Sequence, residues 1–232
     1  MSLQVSAIDT FYGTSHILHG VSLEIGEGEL LAVLGRNGAG KTTLLRSITG
    51  INPPRRGLVR LDGVDLKRLK SHERTRLGVS YVPQGREIIP DLTVAENIYV
   101  ALLGKGRKRG RVPDLVFDYF PALRPLVDQK GGTLSGGQQQ QLAIARALVQ
   151  EPKFLLMDEP TEGLQPSVVE EVELIIKRIP SERKCAVLLV EQNLDFVRDI
   201  AQRFAILDTG RIVREGDVAG LTNEVVQRHL SV

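Results

Sequence analysis

Residues 35–42 read Gly35-Arg36-Asn37-Gly38-Ala39-Gly40-Lys41-Thr42, a full match to G-x-x-x-x-G-K-[ST]. The apolar run Leu30, Leu31, Ala32, Val33, Leu34 precedes this loop, and Leu44, Leu45, Ile48 and Ile51 follow it at helical spacing. A buried strand that turns through such a loop into a helix commits the chain to α/β layering, because strand and helix must bury apolar faces against each other. Glycines let the backbone curl until several N–H groups point into one concavity. The helix that starts near Lys41 adds the positive end of its dipole. The chemistry implied is a grip on the phosphates of a nucleoside triphosphate by residues 35–43, Thr43 included. Lys41 is placed to reach the β- and γ-phosphate oxygens, and Thr42 to offer its hydroxyl to Mg²⁺, a hard cation that takes oxygen ligands. A chance glycine-rich turn has no reason to sit between a strand and a helix.

The rest of the chain fits that layering. Residues 3–8, 21–25 and 57–61 read as strands, the last meeting the turn pair Asp62-Gly63, so the first part is rich in antiparallel hairpins. Gly50 and Pro53-Pro54 end the helix at 41–49. Thr93-Val94-Ala95-Glu96 is a capping box that starts a second helix. The basic stretch 104–111 follows, then helical spacing at Leu115, Val116, Tyr119 and Phe120, and a further helix from about 134 to 149. Strands at 154–157 and 185–190 alternate with helices at 166–179 and 194–201, and a hairpin around Asp208-Thr209-Gly210 closes the pattern. We therefore expect one α/β unit over 1–232. Residues 1–84 and 150–232 form its core and an N-terminal antiparallel β sub-domain; residues 85–149 form a helical sub-domain.

Composition narrows the function. With 232 residues and 42% hydrophobic content the chain can bury a sizeable core. One cysteine excludes an intramolecular disulfide and a thiolate metal cluster. Thirty basic residues against 28 acidic give +2, too little for a general pull toward nucleic acid or membrane. No apolar run approaches the roughly 20 residues of a spanning helix. The N-terminus lacks a basic and an apolar signal region, so the cytoplasm is the expected compartment. The stretch 105–111 has no interleaved aromatics for base stacking and reads as a solvated or lipid-headgroup-facing loop. Cys185 reads as a core residue, and His16, His19, His72 and His229 as structural or exposed.

Two further segments carry chemistry. The strand at 154–157 runs into Asp158-Glu159. At that strand end, where α/β sheets bind ligands, Asp158 is suited to hold Mg²⁺ and Glu159 to act as general base on the attacking water. Leu134-Ser135-Gly136-Gly137-Gln138 precedes a helix, and Ser135, Gly136, Gly137 and Gln138 form a second anion-binding device. Two phosphate cradles in one small chain suggest ATP shared between two copies.

LSGGQ, the phosphate loop and the Asp-Glu strand end, in this relative arrangement, resemble the ATP-binding cassette (ABC) ATPases over nearly the whole chain. The resemblance implies a P-loop NTPase with a RecA-like core and a head-to-tail dimer that encloses two ATP molecules. It assigns Tyr12 to adenine stacking, and Gln84 to Mg²⁺, the attacking water and the link to the helical sub-domain. Residues 85–97 and Glu191-Gln192-Asn193 are similar to the second ATPase subunit of branched-chain amino-acid importers. Residues 138–146 and 162–167 look more like its urea and short-amide relatives, the type favoured here. The implied partners are a related or identical ATPase subunit, a membrane permease and, indirectly, an extracytoplasmic solute-binding protein, with the chain peripheral on the cytoplasmic face of the inner membrane. Two positions depart from the family. Gln192 stands where a histidine usually contacts the γ-phosphate, and an amide cannot carry a proton at neutral pH. Gln165 stands where an aspartate usually precedes proline. A cassette for export or lipid extraction, or a soluble assembly, translation or repair factor of the same family, remains the alternative.

Overall fold

The computed structural model describes residues 2–104 and 111–230. Strands β1 (Ser2–Tyr12) and β2 (Ser15–Gly26) pair antiparallel, and β3 (Leu30–Leu34) leads through the phosphate loop into α1 (Lys41–Thr49). A hairpin of β4 (Arg56–Leu61) and β5 (Val64–Asp65) turns at Asp62-Gly63 and completes a four-stranded antiparallel sheet of order β2-β1-β4-β5. Then come α2 (Ser71–Leu77) and β6 (Val79–Val82), followed by the helices α3 (Val94–Leu103), α4 (Asp114–Tyr119) and α5 (Gly136–Leu148). The remainder alternates as β7 (Phe154–Asp158), α6 (Pro166–Arg183), β8 (Ala186–Glu191), α7 (Leu194–Ile200), the hairpin β9 (Arg203–Asp208) and β10 (Arg211–Asp217), and α8 (Asn223–His229). The second sheet has order β10-β9-β3-β8-β7-β6, parallel except for β10.

The parallel strands carry apolar residues on both faces because both faces are covered. Leu30, Ala32 and Leu34 of β3 join Leu155, Met157, Val187 and Leu189 in one core, with residues of α3, α5 and α6. Leu31 and Val33 face the other core, with Phe154, Leu156, Leu188, Leu44 and Ile48 of α1, and Leu3, Val5 and Val59 of the antiparallel sheet. The sheet is thus clamped between two layers, and its strand ends are held rigidly where the loops emerge.

Helix α1 stops at Gly50, whose φ of 78° suits glycine. Its last carbonyls are satisfied from outside. The buried Arg74 of α2 donates to Ser47 O (2.9 Å) and Ile48 O (2.8 Å), and also to Leu66 O (2.8 Å). The capping box at Thr93 is formed as its spacing predicts: Glu96 N donates to Thr93 Oγ1 at 3.1 Å and Thr93 N to Glu96 Oε2 at 2.9 Å.

Sequence patterning does not reveal α2, β6 or α8. Helix α2, SHERTRL, has a single apolar residue, and its one fully buried side chain is an arginine. Strand β6 has four residues, and α8 carries only two apolar residues. Cys185 lies one residue ahead of β8, and burial pushes its thiol up to about 12, so it is the inert core residue expected. The basic stretch 105–110 lies outside the described residues. No described helix is long and apolar enough to cross a membrane.

Candidate functional site

Strand order assembles the site. Leu34, the last residue of β3, is in register with Glu191 of β8, and Asp158 of β7 is in register with Val190. The carboxyl ends of β3, β8 and β7 therefore open side by side, delivering the phosphate loop, Gln192 and Asp158-Glu159 to one edge of the sheet. That edge is where ligands bind in open α/β folds.

The phosphate loop is wound by its glycines. Gly38 and Gly40 have φ of 81° and 106°. A Cβ on Gly40 would lie 2.9 Å from Leu18 Cδ2, whereas one on Gly38 would project into open space. Gly35 is the most confined. A Cβ there would strike the carbonyl oxygen of Leu207 on β9, a backbone atom fixed in the sheet. Gly35→Ala is therefore expected to destabilise the fold by about 1–3 kcal/mol, as overpacking against an unyielding neighbour does. Urea denaturation gives the test, and an unchanged midpoint would contradict the packing described.

Lys41 is buried, and its Nζ donates to Gly35 O at 2.8 Å and Arg36 O at 3.3 Å. The same ammonium lies 3.0 Å from Glu159 Oε1, both side chains being less than one-tenth exposed. Gln192 Nε2 donates to that same oxygen at 2.8 Å. Glu159 takes this position with a left-handed φ of 46°, a conformation that non-glycine residues adopt mainly where the surroundings enforce it.

Asp158 is held from two sides: Thr42 Oγ1 donates to its Oδ1 at 3.2 Å, and the Tyr81 hydroxyl to its Oδ2 at 3.0 Å. Burial is the largest influence on this carboxyl and raises its pKa. The Thr42 and Tyr81 hydrogen bonds pull the other way, and the Glu159 charge adds to the rise. Burial, with the neighbouring Asp158, drives the Tyr81 phenol well above its ordinary value, so Tyr81 remains a donor.

A cavity of about 330 Å³ lies over these groups, lined by Tyr12, Arg36, Asn37, Gly38, Gly40, Lys41, Thr42, Thr43, Gln84 and Glu159, with Ile17 as an apolar wall. Tyr12 is 43% exposed at the mouth, its hydroxyl 3.5 Å from an Arg46 guanidinium nitrogen. Gln84 donates to Glu162 Oε2 at 3.0 Å.

Thr42 and Asp158 supply oxygen donors beside a buried ammonium, which suits Mg²⁺ held together with a phosphate chain. Among the described residues no group of three or more His, Cys, Asp or Glu side chains could hold a metal by itself. A cation here would therefore need phosphate oxygens to fill its shell, as Mg²⁺ commonly does.

The structure brings Tyr12, the phosphate loop, Gln84, Asp158, Glu159 and Gln192 to one edge of the sheet, and leaves Ser135–Gln138 apart from them. Ala39 is buried beneath the loop, and Gly35 and Gln192 border an adjoining cavity behind it. Ser135, Gly136, Gly137 and Gln138 do not line the Lys41 cavity. They form the start of α5, where Gln138 N donates to Ser135 Oγ at 3.3 Å and Ser135 N to Gln138 Oε1 at 2.9 Å. A Cβ on Gly137 would lie 2.6 Å from Val168 of α6, so this glycine also permits close helix packing.

Two contributors escaped the sequence. Tyr81 and Glu162 act through partners 77 and 78 residues away, distances at which no local pattern operates. For Tyr81 the one cue was a polar-tipped aromatic three residues before Gln84, and Glu162 carried none.

Comparison with known proteins places these features in context. The family described as ABC transporter matches residues 18–162. The high-affinity branched-chain amino acid transport ATP-binding protein BraG of Pseudomonas aeruginosa is 39% identical over 227 residues, covering 97% of each chain. The probable branched-chain amino acid transport ATP-binding protein LivF of Archaeoglobus fulgidus is 38% identical over 216 residues, covering 92% of this chain and 91% of that one. Among solved structures, the dimeric post-hydrolysis state of the ATP-binding cassette MJ0796, bound to ADP and Pi, is similar with a TM-score of 0.82 at 29% identity. That match covers 94% of this chain and 99% of the other.

Proposed function

The chain belongs to the ABC transporter family, as an ATPase subunit that powers transport, and from that premise we propose that it drives uptake of branched-chain amino acids through a membrane permease. The observation that carries the catalytic part is the meeting of the Lys41 ammonium with the Glu159 carboxylate at 3.0 Å, beside Thr42 and Asp158 at one sheet edge. The names and near-complete coverage of the two branched-chain amino acid transport relatives support the solute class.

The proposed roles follow from the geometry. Backbone N–H groups of residues 35–43 bind the phosphates, and Lys41 neutralises the β- and γ-oxygens. A triphosphate carries more charge than Glu159 and so competes for that ammonium, leaving the carboxylate to accept a proton from water at its Oε atoms. Gln192, already donating to Glu159 Oε1, orients this carboxylate. Thr42, Asp158 and Gln84 would hold Mg²⁺, which when bound supplies positive charge to the phosphate oxygens. Tyr12 at the cavity mouth stacks on the base.

Ser135–Gln138 serve the nucleotide of a second copy or a related subunit in a head-to-tail dimer, a proposal supported by the dimeric MJ0796 cassette. Residues 85–149 act as the helical sub-domain that passes closure to the permease. The chain is proposed to sit on the cytoplasmic face of the inner membrane.

Residues 138–146 and 162–167 favour a second solute reading, urea or short amides. Deleting the chain and measuring uptake of labelled leucine and urea decides between them. Loss of leucine uptake alone is expected; loss of urea uptake alone would transfer the assignment, and loss of neither would refute both.

A further inference from the structure

We propose that Glu191 is a positioning residue for ATP hydrolysis, its buried carboxylate fastening together the two strand-end loops that carry Glu159 and Gln192. The inference rests on the roles proposed above for those two residues. Glu191 is 3% exposed, yet no cationic side chain is paired with it among the described ion pairs. Instead its oxygens are divided between two loops. Oε1 accepts from Thr161 N at 3.1 Å and from Thr161 Oγ1 at 2.5 Å, two residues beyond Glu159. Oε2 accepts from the backbone N–H groups of Gln192 at 2.8 Å and Asn193 at 3.1 Å.

An ionised carboxylate has about four acceptor sites, and four donors take them. It therefore has no lone pair left for nucleotide or water, and acts through its neighbours. The stitching continues on either side: Glu159 N donates to Val190 O at 2.9 Å, and Gln192 Nε2 returns to Glu159 Oε1 at 2.8 Å. The proposed general base and its orienting amide are thus locked in register by backbone and side-chain bonds that all pass through residues 190–192. Histidine is absent at 192, so the orienting group is a neutral amide that holds Glu159 by geometry alone. The anchoring of that amide then governs how well Glu159 is aimed.

An amide at 191 cannot replace this clamp, because its NH₂ would face N–H or O–H donors on one of the two sides. For Glu191→Gln the expected result is ATP affinity equal to the parent and kcat lower by on the order of 10- to 100-fold, the penalty of a misplaced catalytic group. In a Glu159→Gln background the same substitution should produce no further loss, since the two act as a unit. Thr161→Val removes a single hydroxyl donor and should lower kcat less, and Thr161→Ser should restore it. A parent kcat in Glu191→Gln would overturn the inference, as would an equal proportional loss in the Glu159→Gln background. Should Glu191→Gln fail to fold by its thermal midpoint, a parent kcat in Thr161→Val overturns it instead. If Glu159→Gln itself hydrolyses at the parent rate, the general-base assignment fails, and that result is separate from the test of the clamp.

Discussion

Glu159→Gln is expected to bind ATP as the parent does and to hydrolyse it slower by on the order of 10²-fold or more, the usual contribution of a general base. The substitution keeps the size of the side chain and an oxygen able to accept from Gln192, whose Nε2 lies 2.8 Å from Glu159 Oε1. It removes the basic oxygen that would take the water proton. It also removes one anion from beside Lys41, now 3.0 Å away, so the ammonium meets an incoming phosphate without a competitor. Affinity should therefore hold or rise, while the chemical step fails. Hydrolysis would cut the terminal phosphate away from the bridge between the phosphate loop of one copy and Ser135–Gln138 of the other, so the variant should accumulate an ATP-dependent dimer on size-exclusion chromatography. Phosphate release at the parent rate would show that the proton goes elsewhere.

Lys41→Ala should produce the opposite division. It removes the one ammonium among the described residues that line the cavity, and truncating a partner in a desolvated charge contact costs about 2–5 kcal/mol. That corresponds to a loss of nucleotide affinity on the order of 10²-fold or more, readable by calorimetric titration with ATP. A second signature follows from burial. Glu159, less than one-tenth exposed, would lose its cation, so the variant should also melt lower than the parent before any nucleotide is added. Glu159→Gln lowers turnover and spares binding; Lys41→Ala lowers binding first. A titration in which Lys41→Ala matches the parent would remove the phosphate loop from the mechanism.

The legible parts of this molecule are those with short-range causes. The strand at 30–34 and the helix at 41–49 are bounded as predicted, because an all-apolar pentad and a Gly-Lys-Thr helix entry each carry their own signal. The Thr93 capping box likewise closes within four residues. Helix α2 was illegible for a physical reason. Its buried face is presented by Arg74, which serves the free carbonyls at the end of α1, and a hydrophobic pattern is blind to that duty.

The site divides in the same way. The residue types proposed to grip phosphate, hold a metal and move a proton could be picked out along the chain, since loop, strand end and helix start each have a local chemical logic. Their mutual placement was not. Nothing in the sequence says that β8 lies between β3 and β7, yet that order puts Gln192 against Glu159 and Glu191 beneath both. The Tyr81 hydroxyl on Asp158 and the Gln84 amide on Glu162 depend on the same folding. Local backbone preference and side-chain chemistry act over a few residues and are written along the chain. Pairings across dozens of residues exist only after the buried sheet has brought its strand ends to one edge.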